Sequence, residues 1–189
     1  MMNLVIILGP NAVGKMTVGQ ALSDITGLKL LHNHTFSELL WRFFPLGQYS
    51  EEMWRLKDLF TKEILETIAK SDLPGLIYTN MLNFDLPDSC GYIQNILDLY
   101  ESHGAKTCVV ELYADLNVRL ERNKTENRLR HKPSKRDVIT SESRLYDSEK
   151  RKRLNTLDGE TPFANYLKID NTNLTPEDVS LKIKNTFFV

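Results

Sequence analysis

The sequence has very little cysteine. Cys90 and Cys108 are its two in 189 residues, and they stand in unlike contexts with no metal-ligand spacing. Nothing therefore requires a disulfide framework or a structural metal, and a reduced compartment is expected. There is no charge excess either. The 24 Lys and Arg are offset by 25 Asp and Glu, a formal net charge of -1, which argues against a general nucleic-acid or membrane-surface binder. No apolar run approaches a membrane span, and the apolar start from Leu4 to Leu8 is too short for a secretory signal core. A soluble protein in the cytoplasm is the expectation. Internal repeats and low-complexity tracts are missing too. What remains is one domain by length, residues 1–189, large enough to bury about 70 % of its unfolded surface.

Short β-rich runs alternate with helical patterns along the chain, which predicts a parallel sheet with helices on both faces. Everything is organised around the first such unit. Asn3 to Leu8 is a nearly unbroken apolar run with three β-branched residues, read as a strand buried on both faces. It leads into Gly9, Pro10, Asn11, Ala12, Val13, Gly14, Lys15, Met16 and Thr17. The spacing from Gly9 to Gly14-Lys15 is that of a phosphate-binding loop, whose glycines let successive N–H groups turn inward on phosphate oxygens. Lys15 would add charge at the β- and γ-phosphates. Val18 to Ile25 has a helical pattern closed by Gly27, so the loop sits at a helix N-terminus, where the dipole favours an anion.

Further strands are expected at Leu28–Leu31, Leu76–Leu82, Thr107–Tyr113 and Tyr166–Ile169. Thr35 with Glu38 reads as a capping box opening a short helix, which Pro45-Leu46-Gly47 breaks. Met53, Leu56, Phe60, Ile64 and Ile68 predict a long amphipathic helix over 51–70 with a core-facing stripe. Asp88 and Asp115 are candidate caps for helices that follow. From Asn123 to Arg136 there is one large apolar residue among many basic ones, which predicts a mobile basic segment. A charge-laced helix follows over 137–155. Thr175-Pro176-Glu177-Asp178 opens the last helix with cap, first-turn proline and capping-box acid in place.

With these pieces quoted, the chain resembles the small P-loop kinases of the adenylate, shikimate and gluconate kinase group over nearly its whole length. The resemblance rests on Gly9 to Thr17, on Val110 to Asp115 leading to Leu120-Glu121-Arg122-Asn123, on the basic segment, and on Tyr166 to Thr172. It implies a three-layer α/β/α fold with a five-stranded parallel sheet, a basic lid near 123–136 and an acceptor-side helical region near 34–70. It also implies ATP and Mg2+. Gly9, Asn11, Ala12, Val13, Gly14, Lys15 and Met16 would cradle the phosphates. Met16 stands where the strict pattern has Ser or Thr, and the glycine-x4-Gly-Lys-x-Thr form resembles the adenylate kinase loop, so the metal role passes to Thr17. Arg122 would lie over the adenine, and Arg128 and Arg130 would reach the phosphates from the lid.

The acceptor side departs from that pattern. Shikimate kinases carry Asp-x-Asp at the end of the second strand, and this chain has His32-Asn33-His34, which makes shikimate a doubtful acceptor. On an extended backbone residues two apart face the same way, so His32 and His34 would both line an acceptor pocket with Asn33, as a base or as pocket wall. Zinc would need a third and fourth ligand, and His103 and His131 fall elsewhere. The contiguous trio is also unlike the HNH nucleases, whose three residues are spread through a ββα fold. No acid ends the third strand, and Asp85 is the nearest candidate for the magnesium site or equally a surface turn residue. Phe36, Trp41, Phe43, Phe44, Tyr49 and Trp54 would sandwich a ring or fill core. The expectation is a kinase moving the γ-phosphate of ATP to a small-molecule acceptor, a nucleoside- or antibiotic-modifying enzyme of the same fold among the options. The competing class is an ATP-binding regulatory module without turnover. Oligomeric state is left open.

Overall fold

The computed structural model describes residues 1–45 and 47–188, so Leu46, expected to lie in the helix break, falls outside the described residues. Five parallel strands, β1 (Asn3–Leu8), β2 (Lys29–His32), β3 (Gly75–Thr79), β4 (Lys106–Tyr113) and β5 (Tyr166–Asp170), are ordered β2-β3-β1-β4-β5. Between and after them run α1 (Lys15–Thr26), α2 (Thr35–Leu40), α3 (Ser50–Ala69), α4 (Ser89–Ser102), α5 (Leu116–Asn123), α6 (Glu126–His131), α7 (Val138–Arg151) and α8 (Pro176–Phe187).

The apolar run of β1 explains why it is central. Leu4, Ile6 and Leu8 pack with Leu65, Ala69, Ile93, Leu97 and Tyr100 from α3 and α4, while Val5 and Ile7 pack with Val18, Leu22, Val179 and Ile183 from α1 and α8. Successive side chains point to opposite faces, so one strand without a polar break supports two cores. The result is the expected three-layer α/β/α arrangement. Because β1 lies between β3 and β4, its two neighbours connect in opposite directions, and a crevice opens at the carboxyl ends of the strands.

The α3 stripe is only partly in the core. Met53 and Leu65 are buried and Ile64 and Ile68 pack against the core, but Phe60 is 37 % exposed and Trp54 46 %. The capping box at α2 does not form: His34 is the N-cap, the Thr35 hydroxyl donates to the His32 carbonyl (2.8 Å), and the Glu38 carboxylate accepts from Ser134 far along the chain. At α8 the capping box is present, Thr175 and Asp178 bonding reciprocally. The helix expected to reach residue 155 ends at Arg151, because the next residues are tied elsewhere: the Arg153 N–H donates to Asn83 and Asp85, and the Thr156 N–H donates to Glu111.

Glu111 is the anchor of that segment. It is fully buried on β4 and accepts from Asn155 Nδ2 (2.8 Å), the Thr156 N–H (3.0 Å) and hydroxyl (3.2 Å), and the Tyr166 hydroxyl (2.8 Å). Removing the carboxylate strands several buried donors at once. Glu111→Ala is therefore expected to lower unfolding free energy by about 3–5 kcal/mol, read from urea denaturation; a loss under about 1 kcal/mol would show that the donors find other partners.

Candidate active site

The loop between β1 and α1 is shaped by two glycines. Gly9 has φ +136°, and a Cβ there would meet the Leu112 carbonyl oxygen at 2.5 Å; Gly14 has φ +111°, in the region that favours glycine. Since α1 begins at Lys15, the amides of its first turn have no intrahelical acceptor and form an anion site. The loop is held from both sides. Asn171, after β5, donates from Nδ2 to the Val13 carbonyl (2.9 Å), and Asn11 Nδ2 donates to the Ser148 hydroxyl of α7 (3.3 Å).

Two cavities open on this loop. The first, about 270 Å³, is lined by the loop from Ala12 to Thr17 together with Arg122, Asn127, Arg128, Lys132 and Asn171. The second, about 620 Å³, has Asn33, His34, Trp41, Trp54, Arg144 and Asp147 in its wall. They share Ala12, Lys15, Arg128 and Lys132. Three cations thus stand at the junction.

Lys15 donates from Nζ to the Gly9 (2.6 Å) and Pro10 (2.8 Å) carbonyls, which fixes its ammonium beside the loop. Burial first, then the charges of Lys132, Arg128 and Arg119, hold its pKa well below the ordinary lysine value. Lys132 is buried too, and burial, with Arg128 and Lys135 nearby, brings its pKa down to about 7. Arg128 is lowered to about 10 by burial. Three like charges withdrawn from water, offset only in part by Glu38 near Lys132, favour the arrival of an anion.

Lys132 was not among the residues expected from sequence, and it lines both cavities, which Arg130 does not. The basic segment is not irregular: it contains α6 and a 3₁₀ turn at Pro133–Lys135. On a helix, residues 128 and 130 are separated by about 200°, so they cannot both face the loop. Arg128 turns inward, its Nε donating to Asn123 Oδ1 (3.0 Å), whereas Arg130 is exposed in a shallow surface depression with Lys124, Glu126 and Arg136. Position 132, four residues on from 128, shares the inward face. That i, i+4 pair was the available signal. The segment is fastened by Asn127 Nδ2 to Gln20 Oε1 (3.0 Å) and by Ser134 to Glu38.

Arg122 lies where α5 meets the loop. Its guanidinium donates to the carbonyls of Val13 (3.0 Å), Asn171 (2.8 Å) and Thr172 (3.4 Å), bracing the phosphate loop against the turn after β5. The histidines separate. β2 ends at His32 and the chain turns at once into α2, with His34 at φ -89°, ψ -9°, so the extended backbone that would align them is absent. His34 and Asn33 line the larger cavity; His32 lines neither. Burial, with Lys132 and His131 nearby, lowers His32 to about 4, and burial, with Lys132, Lys135, Arg128 and His32 around it, lowers His34 well below its ordinary value. Both rings are neutral at pH 7. Their Nδ1 atoms are buried without a partner among the described residues, as is Trp41 Nε1. Of the six aromatics considered from sequence, Trp41 and Trp54 reach the cavity, Phe36 packs edge-on against Phe60, and Phe44 pairs with Tyr49.

Asp85 is not at the site. Its carboxylate pairs with Arg153 (3.0 Å). Among the described residues no three of His, Cys, Asp and Glu converge as a metal set, and the smaller cavity offers the Thr17 hydroxyl but no carboxylate. That donor set suits magnesium, which keeps several waters and takes phosphate oxygens, better than a metal needing a protein cage.

No protein-family model and no curated protein matches the chain. Solved structures match its fold. A Chloroflexus aurantiacus protein classed provisionally as a kinase superposes with TM-score 0.66 at 18 % identity over 98 % of both chains. A gluconokinase from Sinorhizobium meliloti gives 0.57 at 12 % identity over 98 % of this chain and 91 % of that one. The shikimate kinase of Acinetobacter baumannii, solved in complex with shikimate, gives 0.52 at 16 % identity over 97 % and 91 %. The fold is that of the small-molecule P-loop kinases. No helix among the described residues is long and apolar enough to cross a membrane.

Proposed function

We propose that the protein is an ATP-dependent phosphotransferase that moves the γ-phosphate of ATP to a small-molecule acceptor. The observation that carries this reading is the junction: Lys15, Arg128 and Lys132 line both cavities at once. A binding module needs one pocket, whereas transfer needs two that meet where charge moves, because phosphoryl transfer depends mainly on positioning and charge stabilisation. The phosphate-loop fold shared with kinases supports the same reading.

In this account the loop from Gly9 to Thr17 binds the triphosphate, and Arg122 and Asn171 fix the loop and border the base. An acceptor oxygen bonds to the γ-phosphorus as the β–γ bridging P–O bond breaks; ADP leaves, and the acceptor proton passes to neutral His34 or to water. Lys15, Arg128 and Lys132 hold the transferring group. Magnesium would be bound by Thr17 and phosphate oxygens, and when bound it supplies further charge neutralisation. The test is whether label from the γ-phosphate of ATP enters an organic product, which a nucleotide-binding regulator would not form.

A pH effect follows with a fixed sign. In the protein alone Lys132 is at about 7, so at pH 8 it is mostly neutral. A triphosphate beside it favours the charged form and raises that value, so binding at pH 8 takes up a proton and affinity falls as pH rises above 7. Lys15, lowered for the same cause, acts in the same direction. Calorimetric titration with a non-hydrolysable ATP analogue in buffers of different ionisation enthalpy should show net proton uptake at pH 8. A heat independent of buffer would remove Lys132 from the phosphate site.

A further inference from the structure

The charges in the larger cavity exceed what a nucleotide explains. Lys15, Arg122, Arg128 and Lys132 line the smaller cavity and answer the triphosphate. Beyond them, Lys57, Lys135, Arg144, Arg151 and Lys152 line only the larger one, and Asp147 is the one acid in its wall among the described residues. Lys57 pairs with Asp58 (3.3 Å), and the other four form no salt bridge among the described residues. Glu38, held by Ser134, faces Lys132 and Lys135 from α2 and offsets part of the charge. Those four are drawn from two separate segments, the 3₁₀ turn and α7 with its C-cap, so a run of basic residues on one solvated face does not account for them.

The same cavity also holds aromatic rings and unpartnered nitrogens. Trp41 Nε1 and His34 Nδ1 are buried with no hydrogen-bond partner among the described residues, their rings 6.3 Å apart. Trp54 presents a half-open ring to the same space. A buried N–H left without an acceptor is costly unless a ligand supplies one. The volume, about 620 Å³, is that of an ordinary small-molecule pocket.

We propose that the acceptor is an organic anion, a ring-bearing small molecule whose carboxylate or phosphate is gripped by Lys135, Arg144 and Arg151 and whose ring and polar edge lie against Trp54, Trp41 Nε1 and His34. This rests on the kinase reading above. Arginine on one side of the anion and tryptophan on the other would orient the acceptor hydroxyl toward the cations at the junction.

Calorimetric titration tests it, with the site first saturated by a non-hydrolysable ATP analogue and two matched pairs of probes: uridine against uridine 5′-monophosphate, and glucose against glucuronate. The first pair reports phosphate and the second carboxylate. In at least one pair the anion should bind about tenfold tighter than its neutral partner. Arg144→Gln combined with Arg151→Gln should cut that advantage to about threefold or less, with affinity for the ATP analogue unchanged because neither residue lines the nucleotide cavity. Neutral partners binding as well as the anions, a preference that survives both substitutions, or binding by neither anion overturns the proposal. Failure of the ATP analogue itself to bind the wild-type protein would instead sink the kinase reading on which it stands.

Discussion

Lys15→Ala should lower kcat/KM by about a thousandfold or more while leaving the protein folded. The ammonium stands where the two cavities meet and is bonded to two carbonyls of its own loop, so no other side chain on α1 takes its place. Its removal does not threaten the core. The charge is held in a buried position against Lys132, Arg128 and Arg119, and relief of that repulsion offsets the two lost hydrogen bonds. Circular dichroism and urea unfolding within about 1 kcal/mol of wild type, beside absent turnover, is the expected pattern. Wild-type turnover in the variant would detach the loop from the chemistry.

Lys132→Met comes second, at about a hundredfold in kcat, and it is paired with Arg130→Ala, for which a change within about twofold is expected. The contrast matters more than either value. Lys132 is buried at the junction, and Arg130 is exposed on the far side of α6. Methionine keeps the length and apolar packing of the lysine stem and removes only the charge. Affinity for an ATP analogue should fall much less than kcat, because the cation acts on charge that develops during transfer. A large loss in Arg130→Ala with little in Lys132→Met would mean that the other face of α6 turns toward the phosphates in the working enzyme.

These two experiments also mark where sequence reasoning succeeds. The unit from Asn3 to Gly27 was legible because strand, glycine loop and helix are contiguous, and their spacing alone specifies the loop. The five strands were legible from β-branched runs between turn residues, and α8 from its capping box. The basic segment was not. Its helix has almost no apolar periodicity, and it is fastened by polar contacts to residues far along the chain: Arg128 with Asn123, Asn127 with Gln20, Ser134 with Glu38. Contacts of that kind override local propensity and leave no local signal.

The same cause separates the histidines. Alternation along a strand placed His32 and His34 together, but α2 starts at Thr35 and turns the backbone after β2. Asp85, the first acid after the third strand in sequence, pairs with Arg153, another partner distant in sequence. The cavity's cations come from elements as far apart in sequence as α1, α3 and α7, and only the fold brings them into one cavity with Trp41 and Trp54.

The most direct measurement of the central claim incubates the protein with ATP labelled in its γ-phosphate, magnesium and a cell-derived mixture of small molecules, with Lys15→Ala run in parallel. Label should appear in an organic product in a protein-dependent way and vanish in the variant, and ADP should accumulate in equal amount. ATP bound by the wild-type protein but with label confined to ATP and inorganic phosphate would contradict the account and make this chain a nucleotide-binding module.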